Sequence, residues 1–302
     1  MQSKLTMHGA TSQIRISLFA IAAVLIVASP QVLPGQTPSP SPHELVREAA
    51  QNEVKSNSNG HKFMFRDQKD AGHGTETKLI VETTEASAGM LVALDGKPLS
   101  DQQRSAEEAR LNGLVGNHES LHKKQKSEKE DAERTKRMLT ALPDAFLYER
   151  DGIEEGRKGL GAPGDKLVRL KFRPNPQYDP PTRTEQVLAG MQGYVLIDEN
   201  QHRIAKIDGT LIKDVGFGWG ILGRLDKGGH FLVEQAQVGD AGNWEVTRMD
   251  LSFTGKIMLI KNLTIKSNEV FTDFREVPSN LTFAQGVELL KKQSSEVAEN
   301  KQ

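Results

Sequence analysis

The chain contains no cysteine at all. That excludes disulfides, a lipid-modified N-terminal cysteine, thiolate metal ligands and thiol nucleophiles. Whatever domain forms here is held by its core alone. Aromatics are scarce, with 2 Trp, 3 Tyr and 11 Phe in 302 residues. Neither charge dominates, because Lys plus Arg number 39 and Asp plus Glu 40. There is therefore no global basic field to recruit nucleic acid or an anionic membrane surface. No GxSxG nucleophile elbow occurs either.

The first thirty-odd residues are a different material from the rest. Lys4 and Arg15 are the only charges before the apolar run ISLFAIAAVLIVA (Ile16 to Ala28), and no acid precedes Glu44. This run is shorter than the roughly 20 residues of a spanning helix, and SPQVLPGQTPSPSP follows it instead of a cationic stop. The pattern predicts a secretory signal peptide over residues 1–35, cut between Ala28 and Gln36, with an uncleaved anchor as the alternative. Its removal leaves 37 cations against 40 acids, a balance of −3. Residues 36–42 read as an extended Pro/Ser spacer.

Ser41 followed by Pro42 reads as an N-cap and a first helical residue, opening a short amphipathic helix with Leu45, Val46, Ala49, Ala50 and Val54 on one face. Period-two texture follows in HKFMFRDQ, TETKLIVETTE and GMLVALDGKPL, the last ending in an Asp95-Gly96 turn. From about 100 to 142 the chain is charge-rich and helical, with Ser100 as its cap. Strands resume at DAFLYERDGI and DKLVRLKF, and a short helix is expected at TEQVLAGMQG. The last third reads as a meander: YVLID, RIAKIDGTLI, GHFLVEQAQV, NWEVTRMDLSF, KIMLIKNLTIK and EVFTDFREV. Within KIMLIKNLTI, residues Ile257, Leu259, Leu263 and Ile265 are expected to share one face. The connections are too short for crossover helices, so the sheet should be antiparallel. A helix over LTFAQGVELLKKQ closes a single domain of residues 43–290, ahead of a polar tail at 291–302.

Three patterns invite a chemical reading. His118, Glu119 and His122 form HExxH, which on a helix points two histidines at one zinc while the glutamate polarises its water. The third ligand is missing, because Gln125 and Glu128 stand where the metzincin extension has Gly and His, and Glu128, Glu130 and Glu133 lie on the same run. The surrounding HKKQKSEKEDAERTKR is solvated nearly all round, so two exposed helix histidines are the preferred reading and a zinc metallopeptidase the alternative. Gly218, Gly220 and Gly223 have dinucleotide-loop spacing, but a strand follows where a phosphate loop needs a helix. Asn262 and Asn280 each open an NLT sequon, which matters only in a glycosylating pathway.

The order of elements resembles the periplasmic lipoprotein-carrier family of the LolA and LolB type. The leading helix before HKFMFRD, the helical insertion after DGKPLS and the terminal meander carry the likeness. It implies a strongly curved antiparallel half-barrel whose concave apolar face is covered by helices and shelters acyl chains. The long charged insertion departs from that family, and no lid arginine can be matched here, so only fold and ligand class follow. The expectation is an α+β fold with a curved sheet of about eleven strands, covering helices and a charged helical insertion. The expected function is an exported, monomeric, non-catalytic protein of the periplasm or cell envelope that binds a lipid or other apolar ligand. No cofactor and no nucleic acid are expected, and membrane-associated partners are compatible. Phe217, Trp219, Phe231 and Trp244 are the candidate wall or rim of its site, with core packing as their other role. A structural or protein-interaction module is the further alternative.

Overall fold

The computed structural model describes residues 40–56, 60–70, 72, 74–217, 223–239, 241–258 and 261–299. Helix α1 spans Pro42–Ser56 and starts at a reciprocal cap. Ser41 Oγ accepts from the Glu44 amide at 3.2 Å, and the Glu44 carboxylate accepts from the Ser41 amide at 3.1 Å. Three strands follow, β1 (Lys62–Asp70), β2 (Thr75–Val81) and β3 (Ala88–Leu94), then the short β4 (Lys97–Pro98). The β3–β4 turn is Asp95-Gly96, both at positive φ (48° and 73°), as the strand twist requires.

The charged insertion is two helices. Helix α2 (Asp101–Val115) carries a complete capping box between Ser100 and Gln103, and it stops at Gly116. Asn117 then caps α3 (His118–Ala145) by accepting from the Ser120 amide at 2.9 Å. Helix α3 does not stop before Pro143. The proline sits in its last turn, where few backbone bonds remain to be lost, and the helix ends at Ala145.

The rest of the sheet is β5 (Phe146–Glu155), β6 (Lys166–Pro174), β7 (Met191–Asp198), β8 (Ile204–Leu211), β9 (Val215–Phe217), β10 (Gly223–Leu225), β11 (His230–Val238), β12 (Asn243–Ile257) and β13 (Lys261–Val277). A 3₁₀ turn, Glu185–Gly190, stands where a short helix was expected. Helix α4 runs Phe283–Glu299 and so continues past residue 290, with Leu290 fully buried. The expected strand KIMLIKNLTIK is divided at Met258, whose φ of 50° turns β12 into β13. EVFTDFREV is the continuation of β13. Ile257, Leu263 and Ile265 nevertheless share a face across the hairpin, since Leu263 opposes Gly255 and Ile265 opposes Phe253. Leu259 lies outside the described residues.

All strand pairs are antiparallel, in the order β4-β3-β2-β1-β13-β12-β11-β8-β7-β6-β5, with β9 and β10 branching from β12. The curved sheet is not closed. Its main path has the eleven strands expected. The β12–β13 ladder runs from Ile257–Lys261 only as far as Arg248–Val270. Beyond it, β12 pairs with β11 alone and β13 with β1 alone. Each departing segment carries an extra residue: Thr247 is skipped in the β11 pairing, and β13 spends two residues, Asp273 and Phe274, opposite Phe65. Such bulges bend a strand away from its neighbour. The sheet thus parts into two arms at one end.

Directly opposed residues in an antiparallel pair project to the same face. Carried along the register, Val195, Ile207, Val233, Met249, Glu269 and Lys69 share one face, called inner below. Helix α1 packs on this face of one arm, burying Leu45, Val46 and Ala49 against Val168, Leu170, Val195, Ile197 and Ile204. Met64, Leu79, Val81 and Met90 project to the other face of the second arm, where Leu111 of α2 and Phe283, Val287 and Leu290 of α4 cover them. The two helical layers therefore lie on opposite faces. Helix α3 links them past the parted end: Leu121 joins the α4 cluster, whereas Leu139 and Leu142 join that of α1. Among the described residues no helix is long and apolar enough to cross a membrane, which says nothing of strands.

Candidate functional site

The principal helix contacts among the described residues fall on β2, β3, β5, β7 and β8, and not on β1, β11, β12 or β13 in the middle of the sheet. Its two faces differ there. On β12, Arg248, Ser252, Thr254 and Lys256 are exposed on the outer face, whereas Met249, Leu251 and Phe253 are half-buried on the inner one. Ile207, Phe231 and Val233 continue this half-buried apolar row. That asymmetry is what the inside of a curve produces. The row covers four residue steps along β12 and two strand spacings from β8 to β12, roughly 14 Å by 10 Å.

On β13 and β1 the same face turns polar. Glu269 is buried, receives Ser267 Oγ at 2.6 Å and pairs with Lys69 Nζ at 2.6 Å. Asp67 beside them has a buried Oδ1 with no hydrogen-bond partner. Burial, and then the charge of Glu269, push the Asp67 carboxyl above its usual range. Next along lies an aromatic group, in which Phe65 stacks on Phe274 at 5.2 Å and meets Phe271 edge-on at 6.0 Å. The inner face is therefore amphipathic, with an apolar row, a polar seam and an aromatic end.

A second concavity, about 650 Å³, opens where the arms part. It is lined by Val54 and Ser56 of α1, His61, Lys62 and Glu82, Glu133, Thr135 and Lys136 of α3, and Asn243 to Glu245. Desolvation raises the Glu245 carboxyl to about 7, the charge of Glu82 adding to the effect. Glu82 is raised as well, by burial, although the Phe63 amide at 2.9 Å stabilises its charge. Near this cavity Glu53 and Arg203 form a two-pronged ion pair at 2.8 and 2.9 Å, and the Ile204 amide adds a third bond at 2.9 Å. A groove of about 730 Å³ lies along β5 to β8. Two of its cations are already engaged, Arg169 with Asp151, Glu154 and the Tyr194 ring, and Lys171 with Asp151, and the exposed Arg173 also lines it.

Of the four aromatics singled out from sequence, Phe231 and Trp244 are the two whose side chains are described, and they lie apart. Phe231 lies on the inner face and packs against the cluster of Phe172, Met191 and Leu211. Trp244 is buried six residue pairs further along the β11–β12 ladder, donating its indole N–H to Gln201 at 2.8 Å beneath the Arg203 guanidinium. Phe217 ends β9, with its side chain outside the described residues, and Trp219 lies wholly outside them. Gly218 and Gly220 also fall outside. The strands flanking that stretch pair with each other as a hairpin, not as the strand and helix of a phosphate loop.

His118, Glu119 and His122 occupy the exposed first turns of α3. Among the described residues no three His, Asp or Glu side chains gather as a metal-binding group. Glu128, considered as a third ligand, instead accepts from the Ser87 amide at 3.0 Å and pairs with Lys124 at 2.9 Å.

No family model matches the chain, and no curated protein does. Among solved structures, it is similar to a DUF1329 family protein from Desulfovibrio piger ATCC 29098, at 8% identity and a TM-score of 0.24, over 78% of this chain and 94% of that one. It is also similar to MucB, crystallised in complex with MucA(peri), at 9% identity and a TM-score of 0.21, over 77% of this chain and 99% of that one. Likenesses of this strength bear neither on activity nor on ligand.

Proposed function

We propose that this protein is an exported, non-catalytic binding protein of the LolA-like type that holds the apolar part of a lipid-like ligand against the inner face of its sheet. The observation that supports this most is the half-buried apolar row of Phe231, Val233, Met249, Leu251 and Phe253, on strands outside the principal helix contacts among the described residues, with Ile207 joining it to the α1 cluster. Covering roughly 140 Å² of it with an equal area of ligand removes enough apolar surface for a gross gain of about 7 kcal/mol at 25 cal/mol per Å². Ordering the two partners takes back a large part, which leaves a reversible carrier's affinity. The seam of Ser267, Glu269, Lys69 and Asp67 gives a polar head group donors and acceptors at the edge of the row.

Native mass spectrometry of the protein from its own cell envelope, with displacement of a fluorescent fatty-acid probe, tests this. A co-purifying lipid and probe binding that Val233→Glu abolishes are expected. No lipid, and a probe that binds the variant as well as the parent, would replace this reading with that of a structural or protein-interaction module.

A further inference from the structure

The two ends of the sheet's main path are both protected. At β3, side chains of the helical insertion bond the open edge: Glu107 accepts from the Leu91 amide at 2.8 Å, Arg110 donates to the Gly89 carbonyl at 2.7 Å, and Glu128 accepts from the Ser87 amide at 3.0 Å. At β5 a bulge at Asp151, Gly152 at φ 134° and the charges of Glu149, Arg150 and Asp151 blunt the edge. At the parted end β13 is blunted too, by its bulge with Asp273 at φ 58°. The flank of β12 that faces it has no such device. From Asn243 to Val246 it runs in regular register with β11, and Glu245 is its one charge.

Which backbone groups lie on that flank follows from the far side of β11. The Gln235 carbonyl accepts from the Gly161 amide at 2.8 Å, and the Gln237 amide donates to the Gly161 carbonyl at 3.2 Å, so both residues turn their backbone groups away from β12. Opposed residues of an antiparallel pair either exchange both bonds or turn away from each other. Val246 and Trp244, opposite Gln235 and Gln237, therefore direct their N–H and C=O groups to the parted side. None of these groups has a hydrogen-bond partner among the described residues. The cavity of about 650 Å³ opens along this stretch. Glu82, Glu133 and Glu245 line it against Lys62 and Lys136, while His61 is held by Glu276. Neither Glu82 nor Glu245 has an ion-pair partner among the described residues.

We propose that an extended polypeptide segment adds to this flank as a strand antiparallel to β12, bonding Trp244 and Val246 through its backbone and placing a lysine or arginine opposite Glu245. Bare backbone donors and acceptors at strand spacing select a strand as the occupant, with main-chain bonds holding it and alternate side chains setting its specificity. Between the two bonded pairs, the residue opposite Glu245 takes the closely spaced position, about 4.5 Å between Cα atoms, on the same face as the carboxylate. The excess of acid along the cavity selects a cation there. The bonds lie along the flank of the sheet and not on its apolar row, so this surface does not rest on what the inner face binds.

The probe is an end-blocked heptapeptide of alternating threonine and valine with a central lysine, titrated into the full chain while amide hydrogen exchange is followed residue by residue by NMR. At roughly ten times its Kd it should slow exchange at the Trp244 and Val246 amides about tenfold, by mass action, and leave the Gln237 amide, already bonded to Gly161, unchanged. The same peptide N-methylated on the two residues flanking the lysine has lost the donors that face β12 and should not bind. Glu245→Gln should weaken the lysine peptide about two- to fivefold and leave a central-glutamine peptide unaffected. Val246→Pro removes an amide that no described residue uses and should weaken both peptides; where that variant does not fold, the methylated peptide probes the same bonds on the native chain. Unchanged exchange at 244 and 246, or equal binding of the methylated peptide, would overturn strand addition. Equal binding of a central-glutamate peptide would overturn the choice of a basic residue. Protection of the same two amides on concentrating the protein without peptide would overturn the proposal in favour of a second copy as the occupant.

Discussion

Glu245→Gln should stabilise this protein at alkaline pH and do little at acid pH. In the folded chain the Glu245 carboxyl is raised from an ordinary value of 4.5 to about 7, mainly because it is desolvated beside the parted end of the sheet, with Glu82 reinforcing the shift. The folded state therefore holds a proton that the unfolded state releases first. The stability linked to that proton is fully present below pH 4.5, declines between 4.5 and 7, and is gone above 7. A shift of that size corresponds to about 3 kcal/mol at most. The isosteric amide cannot ionise, so the variant should match the parent near pH 4.5 and exceed it by up to about 3 kcal/mol at pH 8.5. Urea unfolding at the two pH values, with equal m-values, measures the difference. A variant whose stability relative to the parent is the same at both pH values would refute the reasoning, because burial of the carboxylate would then carry no charge-dependent cost.

Glu53→Ala leaves the Arg203 guanidinium, only 12% exposed, without its carboxylate, and should lower the stability to urea by about 3–5 kcal/mol. Adding Arg203→Met should restore most of that, and an unchanged deficit in the double variant would count against the pair as the cause. Gly193→Ala places a Cβ 1.9 Å from the Asp208 carbonyl oxygen, a backbone atom that cannot step aside, and should cost about 1–3 kcal/mol in thermal unfolding. Gly209→Ala meets the mobile end of Met191 at 2.8 Å and should be milder, so the reverse order would contradict the packing described. Dialysis against a chelator should leave the melting temperature unchanged, whereas one tightly held zinc per chain, and a peptidase activity lost in Glu119→Gln, would reinstate the metalloenzyme reading of His118 and His122.

What could be read along the chain was whatever is decided within a few residues. The Ser41 and Ser100 caps, the Asp95-Gly96 turn and most strands follow from local chemistry, and each stands where it was expected. The split was not legible, because it depends on how residues 243–247 and 271–277 choose partners far away in sequence. The same holds for α3, whose solvated middle gave no sign that it passes the parted end and lines a cavity there with Glu133 and Lys136. Scarcity made Trp244 conspicuous, yet scarcity carries no information on burial, and its indole is already engaged by Gln201. The polar seam did leave a trace that was missed. In RDQKD (66–70) charges fall on both faces of a strand, where a sheet with one wetted side should show them on one, and in SNEVF (267–271) Glu269 shares a face with Phe271.

The parting of β12 and β13 means that two of the longest strands in the molecule each have a bare flank near the centre of the sheet. Strand length and central position would ordinarily predict the slowest amide hydrogen exchange there. Instead, past the Arg248–Val270 pair protection should fall at the amides of both strands that face the parted flank and persist at the alternate amides that pair with β11 and β1. The two arms can then breathe separately about the intact hairpin ladder, with α3 as a long strap that crosses between them at the open end.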